Sequence, residues 1–444
     1  MRITYAEISF ILSLLAISFN LFVVSLLSQT ILIITFAALL LTSFRLSVVI
    51  FSSSLFLLNY EYVAGLSVNI PMVIMIFSRL VLGSRNFKVS NDAKRQCLIL
   101  ISMLAVIVLV TALRSSSVSQ GLYLIISFCF AIFTFITLRV ARDKYPEIVA
   151  SFFKGCVLGA LCSVAHALIN ADFNFLRLAL TDESGGVRSL ANALSLALIA
   201  AFYFDSKRLG LVQVKSMNTA NLVPQPHNFF FQYFIYMFCL FAAFLTISRA
   251  VILTSFLLFL SAILYSIVAR VKKGLMINSH ASKILFFFLS FLAFFVFFFL
   301  DRFDNLLFAL ERLARLSPGG ISADGSASAR LVVLQYFFET LSLSNLLFGQ
   351  GAGGFRDLNP YGYYEHSVFI SLLYTGGLLL VFMFFLLIIC ILYGARGSLV
   401  SSLPLTIFSI LTIALSFSTH GTFSSYWFWL HMLSASLIGS LRRD

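Results

Sequence analysis

The chain has 444 residues, of which 60% are hydrophobic and 11% charged, with a formal net charge of +13. Ordinary globular domains run near 45–50% apolar and about 25% charged, so the composition excludes a water-soluble domain. The positive balance does not mark a nucleic-acid binder, because the cations gather in short loops between apolar runs, where they face anionic headgroups.

The apolar runs are about 15–25 residues long, the length a helix needs to cross a hydrocarbon core of roughly 30 Å. Barrel strands alternate apolar and polar residues. Ile284–Leu300 (ILFFFLSFLAFFVFFFL) does not alternate, so helices must satisfy the backbone. Crossings are predicted at about 5–27, 30–44, 46–60, 68–83, 97–113, 119–138, 147–170, 190–206, 228–247, 250–269, 284–301, 366–393, 400–416 and 424–440. The pair at 30–44 and 46–60 is short and also fits one bent or re-entrant element, so the expected architecture is an all-α, polytopic membrane protein of about twelve to fourteen spans. No small-residue cleavage site follows the first run, which is therefore read as a retained span. The six cysteines lie in spans or at a cytoplasmic edge, and neither a disulfide framework nor a zinc site is expected.

Orientation follows the cations. Arg79, Arg85, Lys88, Lys94 and Arg95 share one loop; Arg139, Arg142 and Lys144 another; Lys207, Arg208 and Lys215 a third. Arg270, Lys272, Lys273 and Lys283, then Arg396, then Arg442 and Arg443, continue the alternation, which places these loops and both termini in the cytoplasm. Four segments result: N-terminal spans (1–170), central spans with short arginine-bearing outward loops (171–301), a large outward loop (302–365) and C-terminal spans (366–444).

The exception to the charge rule is informative. The outward side carries nine arginines, at 114, 177, 188, 249, 302, 312, 315, 330 and 356, while the lysines fall on or near the other side. Arginine grips phosphate with a planar fork and keeps its charge when partly buried. Arg114, Arg302, Arg312 and Arg315 read as solvated or snorkelling residues, and the others point to a phosphate-bearing ligand. In the long loop, Phe303, Leu306, Leu307, Leu310 and Leu313 share one face of an amphipathic helix suited to a membrane surface. A Ser317–Ser328 breaker stretch follows, and then a second helix from about 327 to 341 that carries Arg330 near its start.

Beyond it comes LLFGQGAGGFRDLNPYGYYEHS. Gly349, Gly351, Gly353 and Gly354 either bring backbone close to a ligand or form a plain hinge into the next span. The run lacks the Gly-Lys-Ser/Thr ending of a nucleotide loop. His366 sits at the mouth of a span after Tyr361, Tyr363 and Tyr364. The positive end of the following helix favours its neutral ring, which can accept a proton, whereas Glu365 pulls the other way. His227 and His280 read as interfacial residues, His166 and His431 as hydrogen-bonding residues within spans, and His420 as a reserve candidate.

Four elements in order resemble the O-antigen polymerase and ligase superfamily of bacterial membrane glycosyltransferases. These are Arg188 in GGVRSLANALS, the Ser248-Arg249-Ala250 tripeptide opening a span, Arg330 leading to the Phe-Gly-x-Gly-x-Gly run that ends at Gly353, and His366-Ser367 followed by Gly376-Gly377. The match covers roughly residues 185–390, and Ser367 stands where Asn is more usual. The resemblance implies a GT-C-like fold in the bacterial inner membrane with a periplasmic active site. The implied donor is an undecaprenyl-pyrophosphate-linked oligosaccharide. The implied acceptor is a second lipid-linked glycan for a polymerase or the lipid A core for a ligase, with a chain-length regulator as a further candidate partner. No cofactor and no metal are implied. The lipid pyrophosphate needs either a divalent cation or several arginines, and Asp301, Asp304 and Asp324 are too scattered for a metal site. The expected roles are pyrophosphate binding by Arg188, Arg249 and Arg330, and proton abstraction by His366. Arg356, Tyr363, Tyr364 and Glu365 are further candidates for substrate contact. A transporter of polysaccharide or lipid-linked substrate is the competing class, although transporters place charge near the bilayer midplane.

Overall fold

The computed structural model describes residues 43–57, 62–63, 66–67, 69–82, 89–115, 118–145, 147–170, 184–208, 235–240, 325–352, 367–394 and 425–440, with isolated positions such as 355 between them. In chain order these give α1 (Phe44–Leu57), a two-residue hairpin of β1 (Tyr62–Val63) and β2 (Leu66–Ser67), α2 (Asn69–Leu82), α3 (Asn91–Arg114), α4 (Val118–Lys144) and α5 (Ile148–Asn170). They continue as α6 (Ser184–Arg208), α7 (Gly325–Thr340), α8 (Leu343–Phe348), α9 (Val368–Gly394) and α10 (Tyr426–Ser440). Apart from the hairpin, the described elements are all helical. By length and composition Asn91–Arg114, Leu124–Lys144 and Val368–Tyr393 can each cross a membrane, as expected of a membrane-embedded chain. The six cysteines, all among the described residues, form no disulfide.

The chain divides into two compact units, one comprising Met1–Lys88, Ala141–Phe303 and Leu441–Asp444, the other Val89–Val140 and Asp304–Ser440. In the first, α1 packs on α5 and α5 on α6. A Cβ added at Gly155 would meet the Ser52 Oγ at 1.8 Å and the Val49 carbonyl oxygen at 2.4 Å. The two helices therefore touch backbone to backbone, the close approach through small residues that drives helix association in lipid. The Ser52 hydroxyl stays satisfied by donating to the Val48 carbonyl (2.8 Å). Arg45 pairs with Glu147, and Arg79 of α2 donates to the Ser47 hydroxyl at 2.7 Å.

In the second unit α3 starts at Asn91, six residues ahead of the sequence expectation. Ser90 caps it by accepting from the Ala93 amide at 3.3 Å, and Asp92 lies in the first turn. The helix α4 runs past 138 to Lys144, so Arg139 and Arg142, expected in a cytoplasmic loop, lie inside a helix and are buried. Partners in the protein make this affordable. Arg139 Nε donates to Gln96 Oε1 at 3.3 Å, and the Ser436 hydroxyl of α10 donates to the same oxygen at 2.7 Å. Arg142 is paired with the adjacent Asp143 at 3.2 Å. Charge inside a helical bundle persists only with such partners.

Aromatic packing closes this unit. Trp429 of α10 is buried between Phe128 of α4 (5.3 Å between centroids) and Phe384 of α9 (6.4 Å). His431 is buried, and its Nδ1 donates to the Trp427 carbonyl at 2.8 Å, the hydrogen bond within a span that the sequence suggests.

The helix α9 is not straight. Gly377 (φ 66°, ψ −162°) breaks it, and the rings of Phe369 and Phe385 stack at 5.8 Å. A straight helix would hold those two residues roughly 24 Å apart. Length and composition count Val368–Tyr393 as one span, but the ring contact shows two arms folded toward each other. The second arm alone, 378–394, rises roughly 26 Å, close to the ~30 Å of a hydrocarbon core. The expected span at 366–393 is thus a short first arm followed by a crossing arm.

Replacing Gln96 by Leu keeps the volume and removes the acceptor shared by Arg139 and Ser436. It is expected to destabilise the protein by about 1.5–3 kcal/mol, the worth of a hydrogen bond to a charged group, read as a lower denaturation midpoint in detergent.

Candidate functional site

The loop leaving α8 is built around the break in α9. Ser342 caps α8 by accepting from the Asn345 amide (3.1 Å), and Gly349 ends it at φ 73°, donating its amide to the Asn345 carbonyl at 2.8 Å. The next two amides then leave their own segment. Gln350 donates to the Tyr374 carbonyl at 2.6 Å and Gly351 to the Thr375 carbonyl at 3.1 Å, both just ahead of Gly377. The Tyr374 hydroxyl returns a hydrogen bond to Gln350 Oε1. The Ala352 amide donates to Thr111 Oγ1 of α3 at 2.9 Å, and the Ser115 hydroxyl donates to the Ala352 carbonyl at 3.4 Å.

Four glycines make this approach possible. A Cβ at Gly349 would lie 2.6 Å from the Gly376 amide nitrogen; at Gly351, 2.7 Å from the Thr111 Cα; at Gly377, 2.3 Å from the Leu347 carbonyl oxygen. At Gly121 of α4 it would meet Thr111 Cγ2 at 2.8 Å and the Ala352 oxygen at 3.1 Å. Of the two sequence readings, close approach to a ligand or a plain hinge, neither describes Gly349 and Gly351. They press chain against chain, and the junction joins α3, α4, α8 and α9. Gly353 and Gly354 lie outside the described residues.

Phe355 fixes α7 to the first arm of α9. It is fully buried with Val333 and Phe337 of α7 and with Ile370 and Tyr374 of α9. Its ring meets Tyr374 edge-on at 5.0 Å and Tyr336 at 6.0 Å. Arg114, read from sequence as a solvated or snorkelling residue, is a strap across the junction. Its Nη1 donates to the Ser344 carbonyl (3.1 Å), and its Nη2 to the Ser344 hydroxyl (2.7 Å) and to Asn345 Oδ1 (3.3 Å).

The predicted site residues stand as follows. Arg330 lies on α7, three residues before Val333 of the Phe355 cluster. Arg188 lies on α6 in the other unit. Arg249, Arg356, Tyr363, Tyr364, Glu365 and His366 lie outside the described residues. In sequence Arg330 stands three residues before Val333 and His366 four before Ile370, two members of one buried cluster. Among the described residues no three His, Cys, Asp or Glu side chains gather as metal ligands would.

One polar group that the sequence reading quoted within the Arg188 motif received no role there. Asn192, one turn after Arg188 on α6, is buried, and among the described residues its Oδ1 has no hydrogen-bond partner. A buried acceptor left unpaired costs about 1–3 kcal/mol. Its signals in the sequence were its place in GGVRSLANALS and an amide at the start of an otherwise apolar run. No protein-family model, curated protein or solved structure matches the chain.

Two outcomes are expected. Gly377→Ala forces a side chain onto the Leu347 backbone at positive φ and should lower stability by several kcal/mol. Gly376→Ala meets the Leu380 side chain first, its Cβ at 2.8 Å, without the positive φ, and should cost less; thermal unfolding of the two variants side by side checks the order. Asn192→Leu removes the unpaired acceptor and should leave thermal stability equal or higher, while reducing activity if the oxygen receives a substrate donor.

Proposed function

We propose that the chain is a surface-polysaccharide polymerase, an inverting, metal-independent glycosyltransferase that joins undecaprenyl-pyrophosphate-linked repeat units at the periplasmic face of the inner membrane. The observation that carries this reading is the docking of the Phe348–Gly351 run onto Gly376-Gly377. Two elements that the family resemblance places separately along the chain are here one device, and Arg330 and His366 each precede one half of it in sequence. The rest of the reading, a GT-C-like bundle of about twelve to fourteen spans with a structured periplasmic loop, is drawn from hydropathy and charge.

In this reading Arg188, Arg249 and Arg330 neutralise the pyrophosphate and stabilise the charge it gains as it leaves. The acceptor hydroxyl oxygen attacks the anomeric carbon from the opposite face and passes its proton to His366. The bond from that carbon to the phosphate oxygen breaks, its electron pair departs with undecaprenyl pyrophosphate, and the configuration inverts. Arg356, Tyr363, Tyr364 and Glu365 contact the glycan. A ligase uses the same clamp and base with lipid A core as acceptor, so it stays the nearest alternative. A broken helix is also a transporter feature. Here, however, the carbonyls at the break accept from the Gln350 and Gly351 amides, which disfavours their use as ligands for a transported substrate.

Deletion of the gene in its source strain, with wild-type, His366→Ala and Arg249→Ala complements, tests the proposal by electrophoretic glycan profile. Loss of the ladder with one repeat unit left on core is the expected result, and His366→Ala should lower product formation by about 10²–10⁴-fold. Loss of all attached glycan with lipid-linked polymer accumulating would mean ligase. A profile unchanged by deletion would overturn the glycosyltransferase reading.

A further inference from the structure

The helix α7 exposes two chemically different edges beside its buried one. Val333 and Phe337 face the protein in the Phe355 cluster. Leu334 and Phe338 are exposed, Phe338 at 62% of its surface. Gln335 and Glu339 are exposed as well, and Gln335 Nε2 donates to Glu339 Oε1 at 2.8 Å. Successive residues step 100° around a helix, so the pairs 333/337, 334/338 and 335/339 divide its circumference into three sectors. One sector meets protein, one is apolar and open, and one is polar and open. That is the cross-section of a helix lying against protein at a boundary between hydrocarbon and water.

The apolar sector continues into α8, where Leu343 (72%), Leu347 (41%) and Phe348 (58%) are exposed. It also continues onto a span. Arg114 ties Ser344 and Asn345 to the end of α3, and α3 below that point exposes Leu98, Ile101, Val108, Leu109 and Leu113 along one side. A helix long and apolar enough to cross the membrane presents such a stripe to acyl chains.

We propose that the elbow formed by α7 and α8 is an interfacial membrane anchor. Leu334, Phe338, Leu343, Leu347 and Phe348 insert among the acyl chains of the bilayer, while Gln335 and Glu339 stay in water. The occupant is the bilayer itself, because the exposed apolar surface is continuous with that of a spanning helix and ends where the charged Arg114 marks the headgroup level. This rests on membrane embedding alone, so it stands or falls separately from the glycosyltransferase reading.

The test places the photoreactive residue p-benzoylphenylalanine at 338, 348, 335 or 339 of the full chain in nanodiscs of phosphatidylethanolamine and phosphatidylglycerol, with adducts identified by mass spectrometry. Acyl-chain adducts at 338 and 348, lost at 335 and 339, are expected. Lipid adducts at none of the four would put the elbow in water, and adducts at all four would immerse it; either overturns the proposal. Adducts to a second copy of the chain at 338 or 348 would make the face a protein contact and overturn it too. In the unmodified protein in the same nanodiscs, Phe338 and Phe348 should resist hydroxyl-radical oxidation despite their exposure. Oxidation at the rate of a water-exposed phenylalanine would overturn the proposal without any substitution.

Discussion

A backbone carbonyl freed by a break in a helix and packed away from water must find another donor, and that constraint organises the second unit. Breaking α9 at Gly377 interrupts its hydrogen-bond ladder beside Tyr374 and Thr375, and a lipid-exposed break of this kind would cost several kcal/mol per unsatisfied group. The amides of Gln350 and Gly351 supply donors at those carbonyls. The remaining contacts follow from keeping these amides in place. Gly349 and Gly351 allow the approach, Thr111 and Ser115 hold Ala352, and Arg114 straps α8 to α3. Phe355 then packs α7 against the first arm.

Hydropathy made the helices legible, because twenty apolar residues in a row have few other uses. The existence of α3, α4 and α9 and the internal hydrogen bond of His431 could be read along the chain. The fate of Arg139 could not. A charge count assigns it to a loop, and only the fold reveals that Gln96 and Ser436, 340 positions apart, meet to receive it. The same holds for the glycine run. A glycine announces that something comes close, but whether that neighbour is a ligand or another stretch of main chain is decided by tertiary contacts. The sharp bend in α9 was also beyond reach, since a glycine pair fits a slight kink as well as a reversal. Of the candidate site, the sequence supplied the order of the arginines and the histidine, and the structure describes the helix that carries Arg330 and the cluster that packs it against the first arm of α9.

The two kinds of polar device in the second unit work differently. The group around Gln96 uses side chains to hold a cation, so it depends on the identity of each member. The junction around Gly377 uses main-chain atoms almost throughout, supplemented by the Thr111 and Tyr374 hydroxyls. The second acts together with the Phe355 cluster to position the first arm of α9.

A joint made of amides and carbonyls is written in a part of the chain that nearly every residue shares. It asks for the absence of a side chain at a few glycines and is almost indifferent to what stands between them. The apolar residues around it can drift through leucine, phenylalanine and valine without moving the arms of α9. Over long divergence such a device keeps its shape while its spelling dissolves, and what should persist is a spacing of gaps more than a string of letters.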